Sequence, residues 1–224
     1  MIISTNTAKI SLFRVNIGCG MSPTPDWLNF DNSPSVRLAK YPLFIKTLCA
    51  FNLLRSTQLD FIHFCQRSQI TWAEVTKHIP LPNHSVEVIY SSHMLEHLDR
   101  NEVVLFLREA RRILIKGGIL RLAIPDLNKL ISNYVQNGDA DSFMESMHVC
   151  KPRPKSILDK LRILVVGTRH HQWLYDSTSL AKLLKENGFT ETYPLPIGQT
   201  RIINSGQLNL HEDAGDSMYL EAVL

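Results

Sequence analysis

Short apolar runs alternate with stretches of helical periodicity along most of the chain, the pattern of a mostly parallel sheet whose strands are joined by crossover helices. Residues 14–17 predict a first strand that runs into the turn Gly18-Cys19-Gly20. Residues 27–30 predict a second, stopped by Asp31 and Asn32. Residues 85–90 (SVEVIY) alternate and then become continuously apolar, as a buried strand does. Next, Val103, Phe106, Leu107, Ala110, Ile113 and Leu114 recur at helical spacing, with Arg108, Glu109, Arg111 and Arg112 expected to face water. Asp99 or Asn101 would cap the start of this helix and Gly117-Gly118 its end. A strand over 119–124 follows, closed by Pro125-Asp126. Leu127, Leu130, Ile131, Tyr134 and Val135 then form a second helical stripe that ends at Gly138. A last helix is predicted over about 177–187, with Leu180, Leu183 and Leu184 inward, and closing strands over 189–193 and 218–223.

Two stretches break the alternation. Residues 36–65 form an insertion, helical in two pieces, and residues 139–173 are a basic, proline-bearing segment ahead of the last helix. With no repeat and no dividing linker, the pattern predicts a single domain over 1–224 carrying these two elaborations.

Composition narrows the classes. At 224 residues, 44% hydrophobic and 20% charged, the chain reads as globular and large enough to need no metal or disulfide staple. Lys+Arg 24 against Asp+Glu 21 leaves a net charge of +3, too small to argue for nucleic acid. The four cysteines show no CxxC pair and are expected to be reduced thiols. The most apolar stretch, 41–54, is interrupted by Lys46, Thr47 and Asn52 and falls short of the roughly 20 residues a membrane span needs. The polar amino-terminal residues lack the apolar core of a signal peptide, so a cytoplasmic location is expected.

A glycine pair closing a strand lets a ligand approach the backbone at the carboxyl edge of a parallel sheet. The dinucleotide fingerprint would place a third glycine where Pro23 stands, and an acidic residue about 20 positions on. Asp31 comes after too short a connection for a full crossover helix, which argues against NAD. A carboxylate at the end of the second strand suits a ribose diol. Asp31 reads equally well as the first residue of the turn Asp31-Asn32-Ser33-Pro34.

Taken in order, Val15-Asn-Ile-Gly-Cys-Gly20, Trp27-Leu-Asn-Phe-Asp31, Ile79-Pro-Leu-Pro-Asn-His-Ser-Val-Glu-Val-Ile-Tyr90, His93-Met-Leu-Glu-His97 and Leu107-Arg-Glu-Ala-Arg-Arg-Ile-Leu114 with Gly117-Gly118 resemble the class I S-adenosylmethionine (SAM)-dependent methyltransferases, in the branch called methyltransferase type 11. The resemblance covers about residues 14–126, with a weaker echo at Trp173-Leu-Tyr-Asp176 and the last helix. It implies a Rossmann-like α/β fold: a seven-stranded, mostly parallel sheet with helices on both faces, the first crossover helix reduced, and SAM as cofactor. By the same resemblance Gly18, Cys19 and Gly20 face the methionine part of the cofactor, Asp31 with Asn32 meets the ribose, and Glu74-Val75 contacts the adenine. Glu74 stands where the family usually has Asp. Ser91, Ser92 and His93 would line the methionine and acceptor side. Asn16 occupies a position that is acidic in many members, and its neutral amide cannot pair with the cofactor's amino group.

Methyl transfer is an in-line displacement in which the protein chiefly positions the reactants, and an oxygen or nitrogen acceptor often also needs a base. Five of the nine histidines fall in segments expected to edge the site: His93, His97, His148, His170 and His171. Of these, His93, His97 and His171 are the candidate catalytic residues. His93 and His97 stand four apart where a helix is expected to begin, on one face; His97 also reads as a packing residue, and Glu96 as a group that fixes a loop. His170-His171 beside Arg169 reads as an anion contact or an exposed loop. Neither HExxH nor HxH spacing occurs, so no metal is expected. Lys151-Pro-Arg-Pro-Lys155, with Lys160 and Arg162, reads as a solvated loop or a phosphate contact. The apolar residues of 43–64 read as cover for the sheet edge left bare by the reduced helix, or as a lid over the acceptor. The expected function is methyl transfer from SAM to an oxygen or nitrogen of a small molecule or glycan precursor. A non-catalytic SAM-binding partner module is the alternative, and the modest charge weakens an RNA substrate.

Overall fold

The structure, a computed structural model, describes residues 12–150, 153, 154, 156–166 and 170–224. Lys151, Lys155 and Arg169 of the basic segments, the Arg162 side chain and the amino-terminal residues 1–11 lie outside this description. Among the described residues, β1 (Phe13–Ile17), β2 (Leu28–Asp31), β3 (Ile70–Trp72), β4 (Val86–Ser92), β5 (Leu114–Pro125), β6 (Glu191–Leu195) and β7 (Ser217–Val223) form one sheet of order β3-β2-β1-β4-β5-β7-β6. Pairings from β3 through β5 are parallel; β7 runs antiparallel between β5 and β6. The strand order reverses between β1 and β4, which marks the carboxyl ends of those two strands as the place where such sheets bind ligands.

No helix joins β1 to β2 among the described residues; the connection is a set of turns, as the short spacing requires. The insertion contains three helices rather than two, α1 (Pro34–Leu38), α2 (Pro42–Ala50) and α3 (Ser56–Arg67). Its helix α1 contacts the edge strand β3, with Arg37 over the Trp72 ring. Ile45, Leu48, Leu54 and Ile62 pack on one another as a separate apolar cluster, while Phe44 and Phe51 face solvent.

Two helices, separated in sequence by α5 (Leu127–Asn137), α6 (Ala140–Ser146) and α7 (Ile157–Val166), anchor one face of the sheet. Val103, Phe106, Leu107, Ala110 and Ile113 of α4 (Arg100–Ile113), and Leu180, Leu183 and Leu184 of α8 (Ser177–Glu186), share a core with Val15, Ile17, Ile89, Leu120 and Leu122. Alternate strand residues Val88, Tyr90, Ala123 and Tyr219 meet Trp27, Ile202 and Leu208, so the long connection between β6 and β7 covers that second cluster. Asp99 caps α4 with a capping box, its carboxylate accepting from the Asn101 and Glu102 amides.

The glycine pair at 117–118 has a different role from the helix stop that its position suggests. Helix α4 ends at Ile113 and the chain passes directly into β5. Val86 pairs with Leu114 but Val88 pairs with Ile119, so β5 carries extra residues against β4. Gly117 takes the left-handed φ of 76° and a Cβ on Gly118 would come within 2.9 Å of the Ile115 carbonyl, so both glycines serve the bulge. Glu109 also departs from expectation. It is buried, accepts from the Ile79 amide at 3.0 Å and pairs with Arg112 at 2.8 Å. Arg112 in turn donates to the Leu81 carbonyl at 2.9 Å and the Ile79 carbonyl at 2.8 Å, which pins the approach to β4. Desolvation would raise the Glu109 carboxyl, but the bonds from Arg112 and Ile79 outweigh it and hold its pKa below the ordinary range.

Behind β5 and β7 lies an ion pair that no periodicity announces. Arg121 and Glu221 are both fully buried and meet at 2.7 Å. Glu221 also accepts from the Thr200 hydroxyl at 2.6 Å and the Arg201 amide at 2.9 Å, and Arg121 donates to the Gln199 carbonyl at 2.9 Å. The pair therefore fastens residues 199–201 to the sheet. Of the cysteines, none forms a disulfide, and burial pushes the Cys65 thiol up to about 11.

Candidate active site

At the carboxyl end of β1 the chain must turn sharply under β4. Gly18 has φ of 70°, and a Cβ there would sit 2.7 Å from the Met94 side chain, so glycine is required on both counts. Asp31 closes the turn from β2: Oδ2 accepts from the Gly20 amide at 3.0 Å and Oδ1 from the Ser33 amide at 2.7 Å. Its two sequence readings are thus compatible. Asp31 orders the turn that leads into α1 and also lines a cavity with Gly18, Asn32, Val75, His93, Met94, His97 and His170.

Several expected residues face elsewhere. Asn16 is buried and donates to the Ser22 carbonyl and the Thr24 hydroxyl, each at 3.0 Å, bracing the turn from behind. An acid could not make those donations, which accounts for the amide at this position. Cys19 is buried beneath the turn, and Gly20 offers its amide to Asp31; neither lines the cavity. Glu74 accepts from Thr76 at 3.1 Å, leaving Val75 as the cavity wall. Ser91 and Ser92 likewise lie off the cavity, their hydroxyls buried without a hydrogen-bond partner among the described residues.

The histidines are gathered more closely than sequence order suggests. His93 and His97 do not share a helix face, because His93 has φ of 47° and only Leu95–His97 form a 3₁₀ turn. A non-glycine residue in that region is strained, and the His93 amide bond to the Ala123 carbonyl at 2.9 Å holds it there. His93 Nε2 lies 2.7 Å from the Ser217 hydroxyl and 3.3 Å from Asp213, while Nδ1 lies 3.3 Å from Glu96. Desolvation favours its neutral form, but the Glu96, Asp213 and Glu212 carboxylates outweigh this and raise the imidazole above its ordinary value.

Glu96 is fully buried, and neither carboxylate oxygen has a hydrogen-bond partner among the described residues. Its backbone carbonyl accepts from the Gln172 and Trp173 amides at 2.7 and 3.2 Å, docking residues 171–173 against the turn. His97 Nδ1 donates to the His170 carbonyl at 3.0 Å, and the His171 ring packs 5.0 Å from His97 and 5.4 Å from His148. Burial lowers the His171 imidazole below its ordinary value against the pull of Glu96. A second cavity opens beyond these rings, lined by His93, Pro125, Leu130, Asn133, Ser146, His148, His171, Asp213 and Asp216. Asn133, Asp213 and Asp216 stand in no motif, and only the fold brings the connection before β7 to this edge.

The family model described as a methyltransferase domain matches residues 54–122. That match spans part of the chain, from α3 through most of β5. No curated protein matches the chain. Among solved structures, it is similar to a SAM-dependent methyltransferase from Thermotoga maritima at 16% identity, covering 94% of this chain and 81% of that one, with a TM-score of 0.48. It is also similar to one from Archaeoglobus fulgidus at 12% identity, covering 96% and 87%, with a TM-score of 0.49. A third, from Mesorhizobium loti, gives 17% identity, 95% and 89% coverage and a TM-score of 0.45. No helix of the described residues is long and apolar enough to cross a membrane.

Proposed function

We propose that the cavity at Gly18 and Asp31 holds SAM, and that the cavity beyond His93 takes a polyhydroxylated small molecule, such as a sugar or glycan precursor, as methyl acceptor. His93 lines both cavities, and that shared residue carries the reading.

The first cavity fits the cofactor. Gly18 leaves a concavity that a Cβ would fill, Asp31 presents a buried carboxylate at the end of β2, and Ile17, Val75 and Leu98 supply apolar wall for an adenine. Asp31 would accept from the ribose hydroxyls, and the Gly18 turn would admit the methionine portion. When bound, SAM supplies an electrophilic methyl group. On the acceptor side, Asp213, Asp216 and Asn133 offer hydrogen bonds to hydroxyls, beside apolar wall from Pro125 and Leu130. His93 would take the proton of the acceptor hydroxyl or amine at Nε2, with Nδ1 held toward Glu96. The docked segment 171–173 would help exclude water from the space between the cavities.

The experiment pairs purified enzyme with candidate sugar precursors and follows S-adenosylhomocysteine release. With a working acceptor, His93→Ala should lower turnover by about 10²–10⁴ while SAM affinity stays within a few-fold. Near-wild-type turnover would reduce His93 to pocket wall. SAM binding with no turnover on any acceptor would favour a non-catalytic SAM-binding module.

A further inference from the structure

Glu96, His97 and His171 each bring one potential ligand atom to within 4.8 Å of the others, although His171 is far along the chain from the adjacent pair. Glu96 lies in the interior with neither oxygen hydrogen-bonded among the described residues, and Oε1 has His93 Nδ1 at 3.3 Å and His171 Nε2 at 3.9 Å. His97 has its Nδ1 proton fixed on the His170 carbonyl, leaving Nε2 as the nitrogen with a lone pair; metal-binding histidines are commonly oriented by such a bond. The backbone bonds from Gln172 and Trp173 to the Glu96 carbonyl hold His171 beside the carboxylate before any ligand arrives.

We propose that Glu96, His97 and His171 bind one divalent cation of the zinc type, placed between the cofactor cavity, which His97 lines, and the acceptor cavity, which His171 lines. Two imidazoles and one carboxylate form a donor set that zinc accepts while keeping a position open for a water or a substrate oxygen. Bonds of about 2.0–2.2 Å put tetrahedral ligand atoms about 3.4 Å apart, so side-chain rotations on the order of 1 Å close the site. The missing HExxH spacing is no obstacle, because the third ligand arrives through tertiary structure. The cation site goes beyond the proposed methyl transfer and does not depend on it.

The test uses the full chain, stripped with a chelator and titrated with zinc by calorimetry, with neither SAM nor acceptor present. One zinc per chain is expected, with a melting temperature raised by about 5–10 °C at about 100 times Kd. Glu96→Gln and His171→Ala should each weaken zinc binding by about 100-fold or more, at or beyond the upper end of the loss typical of outer-shell partners. His211→Ala, on an exposed residue outside the cluster, should leave it unchanged. Should either buried variant fail to fold, His97→Gln at the partly exposed ligand gives the same reading. No zinc uptake by the folded wild type, or equal affinity in the cluster variants, overturns the assignment. Either result leaves the methyl-transfer reading standing.

Discussion

Glu221 and Glu96 are the same residue type at the same depth, both fully buried, yet their surroundings are opposites. Glu221 is met by Arg121, the Thr200 hydroxyl and the Arg201 amide. Glu96 has no hydrogen-bond partner at either oxygen among the described residues, and the groups nearest it are imidazoles that line the two cavities. A buried carboxylate with its partners in place holds a fold together. One left without them is costly to the fold and persists where a ligand or a reaction uses it. The two carboxylates thus separate into one that is satisfied on folding and one that is not, although Arg121 keeps Nε and Nη2 buried without a hydrogen-bond partner among the described residues.

The sharpest way to break this contrast is at the finished site. Glu221→Ala strands Arg121 and frees residues 199–201, and should destabilise the chain by about 3–5 kcal/mol. In urea unfolding, a loss below about 1 kcal/mol would make the pair decorative. Asp31 tests the middle ground, since it accepts two backbone amides and also lines the cavity proposed for SAM. Asp31→Ala should weaken SAM binding by about 2–3 kcal/mol in calorimetry and also lower fold stability by about 1–2 kcal/mol. Unchanged affinity would confine Asp31 to its turn.

Glu109 sharpens the comparison through pH. Its folded pKa is depressed, so its contribution is present above the unfolded carboxylate value of about 4.3 and is lost as pH falls through the lower folded value. Wild type should therefore melt above Glu109→Gln at neutral pH, and the gap should close in acid. A gap that persists in acid would point to lost packing instead. The smallest effect belongs to Glu96. In the presence of a chelator, Glu96→Gln removes no hydrogen bond of the described residues, so stability should change by less than about 1 kcal/mol. A loss as large as that of Glu221→Ala would erase the distinction between the two.

What sequence reading could reach follows the range of the interactions involved. Strands β1, β2 and β4, the helices α4, α5 (Leu127–Asn137) and α8, and the Gly18 and Asp31 positions all rest on local periodicity or turn chemistry, and they were legible. Strand β3 has three residues, too few for an alternation to register. Gly117-Gly118 follows a helix, where glycine ordinarily means a stop, and only pairing with β4 exposes the bulge. Glu109 sits among arginines that look solvated until Arg112 is seen bonding a loop some thirty residues earlier in the chain. Arg121 lies between Leu120 and Leu122 as a solvent-facing residue would, and its partner is a hundred residues away. In the candidate site the histidines could be named from their positions. That three of them crowd one carboxylate depends on a contact across more than seventy residues, which no spacing rule contains.

The turn that replaces a helix between β1 and β2 bears on the order in which the molecule assembles. Parallel pairs normally wait for a long crossover, but Val15 meets Leu28 only 13 positions along the chain, against 74 for its other neighbour, Ile89. Closing the shorter loop is favoured by about 1.5 kcal/mol of chain entropy. The β1–β2 ribbon, with the Gly18 turn and Asp31 already on it, is the least entropically demanding strand pair of the parallel half. One wall of the proposed cofactor crevice is therefore available to nucleate folding, while the wall carrying His93 must await contacts made over several times that distance.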